Sequence, residues 1–368
     1  MILAGVTISL LLDENGIIKK SKDARREYGQ AKANEQEDLS NLSDMIEEAT
    51  GKVTLAKVPV GTKASKNGTI NGEEGNSNNP TIPKNYIPID TATSTWGDGS
   101  TAPSQDSVKH GLVIKDEKNN EWVWVPVDSA TLATMYEESS DEKTLCGTTG
   151  ETAVKTKLYS KSEIISGKTR TTPGTTDYRE PDLVVGSGSS NDAKDTYYKT
   201  ILGFDSKEKM AEAVVAEYKA MIESVSKYGG FYIGRYELSR EGVKKDKATL
   251  TNTNWYNLYK KCKELNASDK VETRMIWGCQ WDVTMNWLIS SGAKKSNEVN
   301  TDSSSWGNYK ETSVKADDGK TELKASGTKE KLNTGKTTFT MANNIYDLAG
   351  NCFEWTQEAN NTDSRACR

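Results

Sequence analysis

The chain has 368 residues, of which 34% are hydrophobic and 27% charged, with a net charge of −5 and a mean hydropathy of −0.72. That is too polar for one globule of this length, so a core flanked by long solvated segments is expected, within a chain long enough for two or three domains. A single histidine, His110, excludes histidine-built zinc sites and Ser-His-Asp or Cys-His catalysis without it, and nothing marks the clustered basic face of a nucleic-acid binder.

The chain opens on twelve apolar or small residues, "MILAGVTISLLL", too few for a membrane-spanning helix, which needs about 20. The following "KSKDARREYGQAKANEQEDLSNLSDMIEEATG" is charged with helical i,i+4 pairing, so an amphipathic helix is expected over 1–50. "ILAGVTIS…DENGIIKKSKDA" also resembles the second half of a type IV pilin-like N-terminal segment. That resemblance implies a preceding apolar run, a membrane anchor completed by it, and display at the cell surface.

Residues 51–110 are rich in Gly, Ser, Thr, Asn, Pro and Lys and read as a polar linker without a core. His110 falls at its end, with a surface or strand-edge role. "GLVIKDEKNNEWVWVPV" then predicts two strands around a polar turn, from the alternation of Trp122, Trp124 and Pro126. Residues 137–200 read as a long loop with little structure of its own. A helix is expected from an Asp205 N-cap with Glu208 completing a capping box, its apolar face carried by Met210, Val214, Met221 and Val225 and its end set by Gly229-Gly230. "FYIGRYEL" reads as a strand, with Tyr236 and Glu237 as a structural pair at its end. Two further helices are expected, over 255–265 and 280–289. Trp277, Trp281 and Trp287 form an aromatic cluster that suits a core and, in a sugar-binding protein, a stacking surface. Asp282 is placed to neutralise Arg274 or to cap the last helix.

The last motif is "NNIYDLAGNCFEW". Asp347, Asn351 and Glu354 are oxygen donors around Gly350, which tolerates φ > 0. Such donors suit a hard cation such as calcium, and equally a tight turn leading into a buried strand. The five cysteines, Cys146, Cys262, Cys279, Cys352 and Cys367, form no C-x-x-C pair, and their odd number leaves one unpaired within a monomer.

Taken together, "NEWVWVPV", "FYIGRYEL", "MIWGCQWDVTMNW" and "NNIYDLAGNCFEWT" resemble, in this order, the formylglycine-generating-enzyme-like (sulfatase-modifying-factor) domain, an α+β variant of the C-type-lectin fold. The resemblance spans 111–368 and implies a C-terminally incomplete domain with long irregular loops. It implies a structural calcium held by the side chains of Asn351 and Glu354 and the carbonyls of Ala349 and Cys352, with Trp355 packed beneath the turn. In the enzymes of this family two cysteines hold copper beyond an Arg-Gly-Gly-type strand. Neither Cys352 nor Cys367 matches that pair, and the three-histidine iron chemistry of a related branch has only His110 here. The expected function is therefore a surface-displayed ligand-binding protein with a lectin-like head, in one version the target of a diversity-generating retroelement, taking a protein or carbohydrate ligand and no nucleic acid. The alternatives are a copper-dependent oxidase of a peptide cysteine, with its cysteines beyond Arg368, and a structural pseudopilin-like subunit.

Overall fold

The stretch "EWVWVP" forms β3 (Glu121–Pro126), the central strand of the main sheet. In the computed structural model, which describes residues 75–83, 85–97, 102–145, 153–160, 180, 196–265, 271–361 and 364–367, β3 pairs antiparallel with β2 (Val113–Lys115) and β6 (Gly230–Gly234). A three-residue strand β1 (Ile87–Ile89) adds to β2, giving the order β1-β2-β3-β6. The expected N-terminal helix lies outside the described residues.

Strand periodicity sorts this sheet into two faces. Val113, Val123, Val125, Phe231 and Ile233 face the larger core, and Ile114, Trp122, Trp124 and Tyr232 face a smaller one. The expectation of a coreless linker over 51–110 is corrected by the second face. Ile82, Tyr86, Trp96, Val108 and Leu112 are buried against it. The indole N–H of Trp96 donates to the Val113 carbonyl at 2.9 Å, that of Trp124 to Ser77 at 3.0 Å, and the Tyr232 hydroxyl to Thr81 at 3.0 Å. A few large side chains anchor a polar segment that composition alone reads as spacer. The short helix α1 (Gln105–Lys109), N-capped by Ser104, completes this layer, and His110 follows it with Nδ1 2.8 Å from the Asp106 carbonyl.

On the first face, α2 (Ser129–Met135) leads into a hairpin of β4 (Tyr136–Thr144) and β5 (Lys155–Ser160), which corrects the expected structureless loop over 137–200 in part. A single turn, α3 (Tyr197–Thr200), precedes the long helix α4 (Lys207–Tyr228). The α4 N-cap is Ser206 rather than Asp205: its hydroxyl accepts from the Lys209 amide at 3.3 Å. Its C-cap is Gly229 at φ 71°, and Met210, Val214, Met221 and Val225 are buried, as the periodicity predicts.

Helices α5 (Trp255–Glu264) and α6 (Gly278–Ser290) stand within two residues of their expected bounds. Trp277, Trp281 and Trp287 are all buried, and Trp277 meets Tyr218 edge-on at 5.0 Å. Asp282 lies past the first turn of α6, so it does not cap the helix. The Glu180 carboxylate does, accepting from the Gly278 amide at 2.7 Å and the Cys279 amide at 3.2 Å. Arg274 turns instead to Glu272 and to the Glu217 carbonyl. Beyond α7 (Ser296–Asn300) regular structure thins to the two-stranded pairs β7 (Val314–Lys315) with β8 (Glu322–Lys324), β9 (Met341–Ala342) with β10 (Ile345–Tyr346), and β11 (Trp355–Asn361) with β12 (Ser364–Cys367). The architecture is α+β with antiparallel sheets. No described helix is long and apolar enough to cross a membrane.

Trp96→Ala tests the corrected layer. With Trp96 fully buried and its indole bonded, the substitution lowers unfolding free energy by about 3–5 kcal/mol in a denaturant titration, and a loss under about 1 kcal/mol would show that 75–97 is no part of the core.

Candidate functional site

The turn motif is built by residues that enter the left-handed region. Asn343 and Asn344 take φ 46° and 64° in the two-residue turn between β9 and β10. Asp347 and Asn351 at φ 62° and Gly350 at φ 75° then coil the chain. Asn and Asp tolerate this conformation better than other side chains. Gly350 also needs its missing Cβ, because a carbon there would stand 2.7 Å from the Asn308 backbone with which it forms a parallel bridge. The Asn344 amide donates to the carbonyls of His110 and Gly111, each at 2.9 Å, and so ties the turn to the start of β2.

Two side chains of the motif then hold neighbouring loops. Asn351 Oδ1 accepts from Asn308 Nδ2 at 2.9 Å and from the Leu332 amide at 3.0 Å. Its Nδ2 donates to Glu237 Oε2 at 2.6 Å and to the Leu332 carbonyl at 3.2 Å. Asp347 Oδ2 accepts from the Thr334 hydroxyl and the Gly335 amide, both at 2.8 Å. Nearby, the buried Lys324 points its ammonium at the carbonyls of Tyr309, Thr312 and Thr328, at 2.7, 2.7 and 3.3 Å. Four loops of irregular backbone are thereby cross-linked by three polar side chains.

This arrangement re-sorts the expected calcium ligands. Asn351 spends both acceptor directions on N–H donors, and the Ala349 carbonyl accepts from the Asn308 amide at 3.1 Å. Cys352 donates its amide to Gly350 at 2.8 Å. Glu354 keeps an uncommitted oxygen, a buried Oε1 without a hydrogen-bond partner. Among the described residues no three His, Cys, Asp or Glu side chains converge closely enough to hold a metal ion. Trp355 is half-buried and packs against the larger core.

The electrostatics under the turn are those of crowded, desolvated acids. Burial pushes the Glu237 carboxyl up to about 7, the charge of Asp347 adds to this, and hydrogen bonds from Thr249 and Asn351 oppose it. Glu354 is pushed well above the usual carboxylate range by burial first and Glu237 second. Burial also pushes the Cys352 and Cys262 thiols up to about 12, so both stay protonated near neutrality and are poor nucleophiles and metal ligands. Cys262, Cys279 and Cys352 form no disulfide. Tyr236 and Glu237 separate in role: Tyr236 stacks on Tyr346 at 5.2 Å and donates to Glu121, while Glu237 turns inward to Asn351. Sequence reasoning missed Asn308, Leu332 and Thr334 as partners, since they sit in polar loops with no periodicity to single them out. Comparison with known protein families, with characterised proteins and with solved structures found no match.

Three measurements follow from this geometry. Asn351→Ala leaves an amide, a carbonyl, the Asn308 amide group and Glu237 without their partner, and is expected to cost about 2–4 kcal/mol of stability by denaturant titration. Because the folded pKa of Glu237 lies above its unfolded value of 4.5, the folded state holds the extra proton. Its contribution is full below pH 4.5 and is lost as pH rises to about 7, worth roughly 3 kcal/mol at most. Glu237→Gln keeps an acceptor for Thr249 and Asn351 and flattens the stability profile over that window; an unchanged profile would show that Glu237 is not the titrating group. A calcium ion held at this turn through Glu354 raises the melting temperature of the wild type and not that of Glu354→Gln. A melting temperature moved by neither calcium nor chelator removes that ion from the account.

Proposed function

We propose that the chain is a surface-displayed ligand-binding protein whose head is of the C-type-lectin-like, formylglycine-generating-enzyme-like kind, and that "YDLAGNCFEW" is its loop clamp rather than an active centre. One observation carries this reading. The polar side chains of the turn are committed to neighbouring loops, while Phe353, in the middle of it, is 83% exposed. In this reading the exposed ring is the contact that the turn offers to a ligand, held in place by the bonds beneath it. The second exposed aromatic, Tyr309, is adjacent to Asn308, the backbone partner of Gly350. Irregular loops on a rigid scaffold are also where binding residues concentrate. Surface display rests on the pilin-like segment, which lies outside the described residues.

The test immobilises the protein and probes it with panels of polysaccharides and peptides. Phe353→Ala is expected to weaken binding about tenfold or more with an unchanged melting temperature, as for an exposed contact residue. Undiminished binding by that variant overturns the reading, as does copper-dependent conversion of a peptide cysteine to formylglycine by the wild type.

A further inference from the structure

Two lysine-bearing loops meet beside the clamp. Residues 244–247 read Lys-Lys-Asp-Lys, and residues 329–336 carry Lys329, Lys331 and Lys336. They are joined by an antiparallel bridge, with the Asp246 amide on the Thr334 carbonyl at 2.8 Å and the Thr334 amide on the Lys247 carbonyl at 2.9 Å. The second loop is pinned at Leu332 by Asn351 and at Thr334 and Gly335 by Asp347, between its lysines. Six lysines thus stand on two tied loops of a chain whose net charge is −5.

The acids around them do not cancel this field. Lys336 pairs with Asp246 at 3.1 Å, and Lys247 reaches Glu241 only at 4.0 Å. Lys331 meets the Thr251 hydroxyl at 3.4 Å and stands in the field of the buried Glu237 without an ion pair among the described residues. Lys245 is exposed within the field of Asp246 and Asp317, and Glu330 lies between Lys329 and Lys331. Lys244, Lys245 and Lys329 make no ion pair among the described residues. A fixed loop pair holding like charges together raises the local concentration of an anion.

We propose that these loops form a lysine ribbon that docks an anionic polysaccharide, which rests on the ligand-binding reading above and names its partner class. The loops hold no arginine for the bidentate contacts that phosphates and base edges take, which favours a polysaccharide over nucleic acid. The exposed Phe353, two residues from the clamp residue Asn351, supplies an apolar platform for a sugar face, which a bare polyphosphate would not use.

The experiment titrates heparin, as a sulfated polysaccharide, against the full chain at about 50 and about 200 mM salt, where an ionic interface weakens steeply. The triple variant Lys244→Gln, Lys245→Gln, Lys331→Gln is expected to lose at least tenfold in affinity and most of the salt dependence, with its melting temperature unchanged. Wild-type affinity in that variant overturns the ribbon, as does polyphosphate or single-stranded DNA binding as tightly as heparin. Neutral polysaccharide binding that needs Phe353 but not the lysines removes the ribbon and keeps the ligand-binding reading. Failure of the wild type to bind any polysaccharide or peptide removes both.

Discussion

Buried backbone needs hydrogen-bond partners, and the described segments beyond α7 have little helix or sheet to supply them. The Asn351 amide is where that need is met most densely. It bonds both the N–H and the C=O of Leu332, so one side chain does for that residue what a neighbouring strand would do. Asp347 repeats the device at Gly335, and Lys324 repeats it with opposite charge on three carbonyls. Loop positions around 308, 332 and 334 therefore depend on a turn that itself depends on five left-handed choices within nine residues, at Asn343, Asn344, Asp347, Gly350 and Asn351.

That dependence explains how much could be read from the chain. The turn was visible because left-handed backbone demands Asn, Asp or Gly, and "NNIYDLAGN" concentrates them. The helices were visible because Met210, Val214, Met221 and Val225 keep helical spacing. What the clamp holds was not visible, since Asn308, Leu332 and Thr334 lie in segments with no period and reach Asn351 or Asp347 through contacts far apart in sequence. Asn351 was singled out from its place beside Gly350, but the partners of its amide, Asn308 and Leu332, were not legible. Composition misled most over 75–97, where Ile82, Tyr86 and Trp96 are outnumbered by polar neighbours yet cover one face of the sheet. One buried tryptophan removes more apolar area than many small polar residues can offset, so averages over such a window hide its anchors.

The two sheet faces also set where variation is tolerable. β3 is apolar on both sides and carries tryptophans toward the smaller core, so its sequence is constrained throughout. The segments beyond α7 alternate exposed stretches with buried anchors such as Trp306, Val314 and Ile345, and the lysines at 329, 331 and 336 lie in the exposed stretches. Substitutions at Lys329, Lys331 or Lys336 leave those bonds intact, whereas substitutions at Asn351 or Asp347 release the loops that carry the lysines.

The polar groups of this turn are engaged in holding the fold, which bears on the binding reading proposed above. Catalysis needs a group held ready yet unspent, such as a base with a free lone pair or a thiol that ionises near neutrality. Here Asn351 and Asp347 are spent on backbone and side-chain donors, and Cys352 is held protonated by burial and by the acids beneath it. Glu237 is the one carboxyl poised near neutrality, and both of its hydrogen-bond donors, Thr249 and Asn351, meet the same Oε2 from within the fold. Its remaining oxygen is closed off from solvent, so no substrate proton can reach it without opening the clamp. The polar interior of this site is thus a structural device, and under the ligand-binding reading proposed above the contacts fall to what stands outside it: the Phe353 ring and the lysines of the two tied loops.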